Sequence, residues 1–254
     1  MGSPSRHDPL SGAEWSRRTL HRVVGSPWYQ YRDAVTTPNL RPPQARRVRL
    51  GALAPYDPTL LADGLDAVEL SGVDLTGEDL SSLSVVGCSW RRCGLTGADL
   101  SRGQLADCVL VECDAASLRA PRSSWRGVEV SASRLGSLEL YESSWRSVRI
   151  EGTKIDYVNA RASAWRDVDL RDCRIGELDL TDATVERMRL DGCTVGTVVL
   201  GHARLRDVDL RGARIEAVEG LTGLSGAWIT SDQLTLLAPS LATALGITIA
   251  DAAP

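Results

Sequence analysis

Between Leu65 and Ile215 every fifth residue is apolar, and no insertion or deletion breaks the count over thirty-one positions. The series is mostly Leu, Val and Ile, with Trp at 90, 125, 145 and 165 and Ala at 115, 120 and 160. A period of five fits neither a helix at 3.6 residues per turn nor a strand alternating at two. It fits a solenoid whose coils are built from five-residue sides, each side presenting the same groups inward.

The residue two before each of these centres is mostly apolar or small as well, as in Val128, Ser133, Leu138, Ser143, Val148 and Thr153. Two inward groups in five leave three for solvent, which suits a narrow body with a dry core. A longer period of twenty lies on top. Trp125, Trp145 and Trp165 are spaced by it, each followed by Arg (Arg126, Arg146, Arg166) and preceded at a fixed offset by Ser123, Ser143 and Ser163. Four sides per coil therefore stack these residues as columns, with coils about 4.8 Å apart and seven to eight coils spanning about 35 Å.

The outward positions give the same register. Stepping by twenty, one column reads Glu129, Arg149, Asp169, Arg189, Asp209 and its neighbour Glu151, Arg171, Asp191, Arg211. Both alternate in sign at every step. Neighbouring coils are expected to set opposite charges over each other, each pair worth about 0.2–1 kcal/mol.

Tracts such as VDLTG (73–77), ADLSR (98–102), VDLRD (168–172), LDLTD (178–182) and VDLRG (208–212) resemble the pentapeptide-repeat motif, A(D/N)LXX. The resemblance covers about residues 61–220. It implies an all-β fold, a right-handed quadrilateral parallel β-helix of seven to eight coils with a short α-helical C-terminal cap. The chain departs from the family in having no Phe, which the family often places at the centre.

The domain organisation expected is a basic arm and N-cap over 1–60, the β-helix over 61–220, and a helical cap or dimer element over 221–254. Residues 1–60 carry nine Arg against four acidic residues, whereas 61–220 carry twenty basic against twenty-seven acidic. A short helix is expected over 13–24, with Trp15, Leu20, Val23 and Val24 loosely on one face. The Pro- and Arg-rich tract 38–50 reads as extended or disordered, its last part packing on the first coil. At the other end Ser231 is the expected N-cap, and Leu234, Leu237, Leu241 and Leu245 form an apolar stripe. Pro239 predicts a kink or two short helices. The stripe covers the last coil or makes a dimer face; in the gyrase-protecting members that the chain resembles, this end makes the dimer.

Two places in the repeat look weak. Ala115 and Ala120 underfill adjacent centres and Pro121 lacks a backbone donor, which predicts a bulge or kink over 114–122. Glu78 falls on an inward position, and its side chain is expected to escape to water.

The six cysteines form three pairs twenty apart: 88 with 108, 93 with 113, and 173 with 193. The repeat itself accounts for that spacing, so they read as small buried residues rather than disulfides or a zinc site. Trp125, Trp145 and Trp165 read as a core ladder whose indole N–H groups need partners, from Ser123, Ser143 and Ser163 or from backbone carbonyls. The candidate interaction surface is two outward basic columns: Arg126, Arg146 and Arg166, and Arg134, Lys154 and Arg174.

No catalytic residue, cofactor or metal site is expected, since there is no GxGxxG, no P-loop and no His–Cys metal spacing. No run of eighteen apolar residues occurs and the N-terminus lacks the apolar core of a signal peptide, so a cytoplasmic protein is expected. The resemblance implies a non-catalytic protein-interaction module with a protein partner, DNA gyrase or topoisomerase IV, bound by imitation of duplex DNA. Charge density weighs against imitation, because 35 Å of duplex carries about twenty negative charges. The alternatives are a scaffold for another protein, or nucleic-acid binding through the basic arm.

Overall fold

The computed structural model describes residues 39–62, 64–248 and 250; the helix expected over 13–24 lies outside them. From Leu65 to Glu219 the chain winds through about eight coils of parallel β-structure. Within these coils the pairings join residues twenty apart, Asp191 with Gly212 excepted: Trp125 to Trp145 to Trp165, Arg134 to Lys154 to Arg174, Glu129 to Arg149 to Asp169. The register slips only once along this ladder, between Arg189 and Thr194 where they face the final coil.

The period of five is geometric in origin. At three of the four corners the residue two after the centre has a positive φ, as in Arg102, Asp107 and Glu112, so the chain turns after each five-residue side. The fourth corner, at Ser117, Ser137, Tyr157 and Glu177, turns without one. Only one or two groups per side then point inward. The centres from Leu65 to Leu200 are buried, and so are most residues two before them, including the hydroxyls of Ser123, Ser133, Ser143, Thr153 and Ser163. Glu78 is exposed.

The bulge expected over 114–122 is absent. Strand Asp114–Arg119 pairs in unbroken register with Arg134–Glu139, and Ala115 and Ala120 are buried. The reason lies in the backbone. At the equivalent corner of other coils, the N–H of Ser81, Ser101, Arg161 and Thr181 is not part of the ladder. It donates to the side chain two residues earlier, on Asp79, Asp99, Asn159 and Asp179. At Pro121 that position holds Arg119, which has no acceptor to offer. Proline removes a donor that the fold does not use there, while its carbonyl accepts the Arg102 N–H at 2.9 Å.

Ahead of the first coil, residues 40–50 run as an extended strap over the outside of the solenoid, and Ala54–Pro55 pairs with Val68–Glu69 of the first coil. Beyond the last coil a 3-10 turn, Leu221–Leu224, leads to an α-helix, Ser231–Ala244, which contains Pro239 without dividing. Its N-cap is Thr230 rather than Ser231. The Thr230 hydroxyl accepts the Gln233 N–H while the Gln233 side chain accepts the Thr230 N–H, a reciprocal pair that satisfies two donors. No residue of this helix is fully buried. Leu237 and Leu241 are half-buried, whereas Leu234 is 49% and Leu245 71% exposed, so the four leucines do not form one buried stripe. No described helix is long and apolar enough to cross a membrane.

Candidate interaction surface

The strap is the feature that the sequence did not reveal. Its backbone N–H groups donate to solenoid side chains in succession: Arg41 to Asp207 at 3.3 Å, Gln44 to Asp167 at 2.9 Å, Arg46 to the Ser147 hydroxyl at 3.1 Å, and Val48 to Glu129. In return Arg149 donates to the Ala45 carbonyl at 2.9 Å. Three of these acceptors belong to one corner column, Asp107, Gly127, Ser147, Asp167, Arg187, Asp207, all with positive φ. Short polar side chains tolerate that conformation and lie close to the backbone, so each presents its oxygen near the corner where an extended chain can reach it. Leu40, Pro43, Ala45, Val48 and Leu50 are half-buried, while Arg41, Arg46, Arg47 and Arg49 remain exposed.

Beside this corner lies the alternating charge column. Its register is as expected and its pairing partly so. Asp169 is buried and paired with Arg189 of the next coil at 3.0 Å, Arg171 of its own coil at 3.0 Å and Arg149 of the preceding coil at 3.6 Å. The neighbouring column does not pair vertically. Arg171 and Arg211 turn to Asp169 and Asp209 on their own coils, and Glu151 is taken by Arg47 of the strap, which also holds Glu129. In-register columns of strongly hydrated charges are matched as well by diagonal partners two residues away, and the strap supplies a further cation that no repeat count contains. Burial alone would raise the Asp167 carboxyl. Its hydrogen bonds with Arg187 and the Gln44 N–H, with the Arg187 charge, outweigh that and hold it below the ordinary carboxylate range.

Of the two basic columns, Arg126, Arg146 and Arg166 stand in register along the edge of the strap. Arg166 is compensated by Glu186, which it shares with Arg187 and Arg206. Arg126 and Arg146 have no ion pair among the described residues. The second column, Arg134, Lys154 and Arg174, is also in register, and Lys154 pairs with Asp156 at 2.9 Å. Arg134 and Arg174 have no ion pair among the described residues either, but the strap places Arg46 and Arg49 beside Arg126, so its cations add to the first column.

The inward groups are packing. Trp125, Trp145 and Trp165 stack with centroids 4.9 and 4.5 Å apart. Their indole N–H groups find none of the expected partners: the Ser123 and Ser163 hydroxyls donate instead to the carbonyls of Ala120 and Ala160 at 2.6 Å. Serine at that point sits under the tight corner, where the carbonyl three residues earlier is within its reach; the Ser143 hydroxyl has no partner among the described residues. The six cysteines are free and buried. Burial pushes the Cys108 thiol up to about 12, and hydrogen bonds donated to Cys93 and Cys193, together with burial, raise Cys113 and Cys173. Beneath the C-terminal helix a cavity of about 370 Å³ is lined by Leu210, Ile215, Val218, Gln233, Leu236 and Leu237.

No family model and no curated protein matches the sequence. Among solved structures, the chain is similar to two trypsin-treated forms of QnrB1, a plasmid-mediated fluoroquinolone resistance protein. One is 21% identical over 74% of this chain and 100% of that chain, with a TM-score of 0.43; the other is 20% identical over 79% and 100%, with a TM-score of 0.37. It is also similar to HetL, a pentapeptide-repeat protein involved in heterocyst differentiation regulation from the cyanobacterium Nostoc sp. strain PCC 7120, at 18% identity over 68% of this chain and 95% of that chain, with a TM-score of 0.21. The ladder itself carries the fold: five-residue sides, four to a coil, in a register of twenty from Leu65 to Glu219, make this chain a parallel β-solenoid of the pentapeptide-repeat type of architecture.

Proposed function

We propose that this chain is a non-catalytic protein-binding solenoid that engages its partner through its outward columns. The observation that carries this reading is the division of labour in the repeat. The inward positions are spent on packing, while Arg126 and Arg146 stand in register on the surface without an internal partner. Uncompensated charges held at a fixed spacing by a regular backbone ladder suit recognition of a matching surface, since little backbone freedom is lost on binding. Gyrase and topoisomerase IV are the first partners to test, because the motif resembles that of gyrase-binding members.

Duplex imitation is the weaker mode of such binding. Glu129, Glu151, Asp169 and Asp209, which an acidic face would need, are each engaged by an arginine. A basic-face contact suits the charge pattern better. In a gyrase supercoiling assay with and without ciprofloxacin, micromolar protein is expected to inhibit or protect, and Arg126→Glu with Arg146→Glu to weaken the effect at least tenfold. Absence of both inhibition and protection at micromolar concentration would remove topoisomerases as partners and leave a scaffold for another protein.

The C-terminal helix fits both roles given to it. Leu237 and Leu241 cap the last coil, and Leu234, Leu236 and Leu245 are the surface for a second copy. Light scattering is expected to show a dimer that Leu236→Asp converts to monomer. A monomer in the unmodified protein would leave capping as the helix's role.

A further inference from the structure

We propose that the notch over Gly127, where the strap crosses the first basic column, binds a small phosphate-type oxyanion. In the corner column under the strap, Ser147, Asp167 and Asp207 each accept a strap N–H. Gly127 has no side chain to offer; the Asp107 carboxylate lies over the position its Cβ would take, and the strap passes on to Glu129. This leaves a cavity of about 230 Å³ walled by Arg46, Arg47 and Arg49 of the strap, Arg126 and Asp107 of the solenoid, and Ser147.

The charges in this notch do not balance. Arg47 is committed to Glu129 and Glu151. Arg46, Arg49 and Arg126 have no salt bridge and no side-chain hydrogen bond among the described residues, and they face a single carboxylate, Asp107. A few coils away the same edge is neutralised, with Arg166, Arg187 and Arg206 sharing Glu186 and Asp167. The excess thus lies at the Gly127 end of the edge, where Arg146 of the next coil is also without an ion pair among the described residues, and it is densest in the notch that the strap arginines line. Guanidinium forks match tetrahedral oxyanions in geometry and charge, and such hydrogen bonds are about twice as strong as neutral ones. The Ser147 hydroxyl, which accepts the Arg46 N–H, has its own proton available for the anion. The volume lies below the roughly 300–1,000 Å³ of clefts that hold drug-sized ligands, which favours a small ion over a nucleotide.

The site is composite. Arg46 and Arg49 come from the strap and Arg126 from the solenoid, so an anion bound there ties the two together. Anion binding and strap docking are linked: whatever binds only the docked state stabilises it by mass action.

Trypsin reads this directly, because its targets Arg46, Arg47 and Arg49 lie on the strap. The full chain is digested in sodium phosphate and in sodium chloride of equal ionic strength, with cleavage followed by mass spectrometry and the dissociation constant taken from calorimetric titration of inorganic phosphate. At ten times that constant, strap cleavage is expected to slow about tenfold. Arg126→Ala, at an exposed position on the solenoid, is expected to abolish the phosphate effect while leaving cleavage in chloride within about twofold. Arg49→Ala tests the strap side independently by titration, and Arg206→Ala is expected to keep the effect. Equal cleavage in phosphate and chloride would overturn the site, as would protection that survives Arg126→Ala. Protection by a six-nucleotide single-stranded DNA but not by inorganic phosphate would overturn the small-ion assignment.

Discussion

Arg187 grips Asp167 of the preceding coil at two points, Nε to Oδ1 at 2.7 Å and Nη2 to Oδ2 at 2.8 Å, while the same Oδ1 accepts the Gln44 N–H of the strap. Asp167 thus joins two coils and the strap through one carboxylate. Asp167→Asn keeps the shape but removes the charge and one acceptor, leaving Arg187 nearly buried and poorly matched. A loss of about 1–3 kcal/mol in urea denaturation at pH 7 is expected.

The same carboxylate sets a pH dependence. Asp167, Asp179 and Asp209 all have folded-state pKa values below the ordinary range; for Asp209 the leading cause is the hydrogen bond from Arg211, while at Asp167 and Asp179 hydrogen bonds and arginine charge overcome burial. A depressed carboxylate contributes stability that is present above its unfolded pKa and lost as pH falls through the folded value. Stability should therefore hold between pH 7 and about 5 and fall below about 4. The deficit of Asp167→Asn should narrow over that same acid range, measured as urea midpoints at pH 7, 5, 4 and 3. A deficit independent of pH would place the effect elsewhere.

The tryptophan ladder gives an unusual expectation. Trp145 is buried between two stacked rings, and its N–H has no partner. Trp145→Phe keeps an aromatic face and removes an unsatisfied donor, so its cost should be about 1 kcal/mol or less. Trp145→Ala leaves a cavity and should cost about 3–5 kcal/mol. Near-equal costs for the two would mean that the indole N–H is satisfied after all.

Register is tested by contrast. One residue inserted after Gly152 shifts every later inward group out of its column, and should abolish folding of the following coils. Exchanging Glu151 with Arg171 breaks an exposed contact to Arg47 and a half-buried one to Asp169, which keeps Arg149 and Arg189, and should cost about 1 kcal/mol. Circular dichroism and urea unfolding distinguish these outcomes.

All six thiols lie in the core, and burial drives Cys108 strongly toward its protonated form. A thiol reagent such as DTNB at pH 8 should label none within minutes in the native protein and all six in denaturant. Rapid labelling of Cys173 or Cys193 would show that the last coils open.

How much of this was visible in the sequence follows from what repeats. The stacking of Trp125, Trp145 and Trp165, the paired cysteines and the sign-alternating column all recur at a fixed step, so counting finds them. Pro121 misled because a single proline carries no information about whether the donor it lacks was in use; only the Asx contacts at Asp79, Asp99 and Asp179 reveal that the donor lies outside the ladder. The strap escaped because its contacts run between backbone N–H groups near residue 44 and side chains 81 to 166 positions later, with no periodicity on the strap side. One trace was present. Asp107, Ser147, Asp167 and Asp207 share a column that needs short acceptors, a pattern that packing alone does not require. The same holds for the candidate surface: its Arg columns could be counted, but the company of Arg46 and Arg49 could not.

Stacked coils touch only their neighbours, so a solenoid melts from its ends like a row of loosely coupled units. The segment from Arg41 to Pro55 changes that arithmetic. It is fastened at Asp207, at Asp167, at Ser147, at Glu129 and at the first coil. A terminal coil cannot fray without stretching or shedding a tie that is anchored at the opposite end, and the loss of one fastening is felt along the whole length. Such a longitudinal tie turns a one-dimensional stack into a body that opens as a unit.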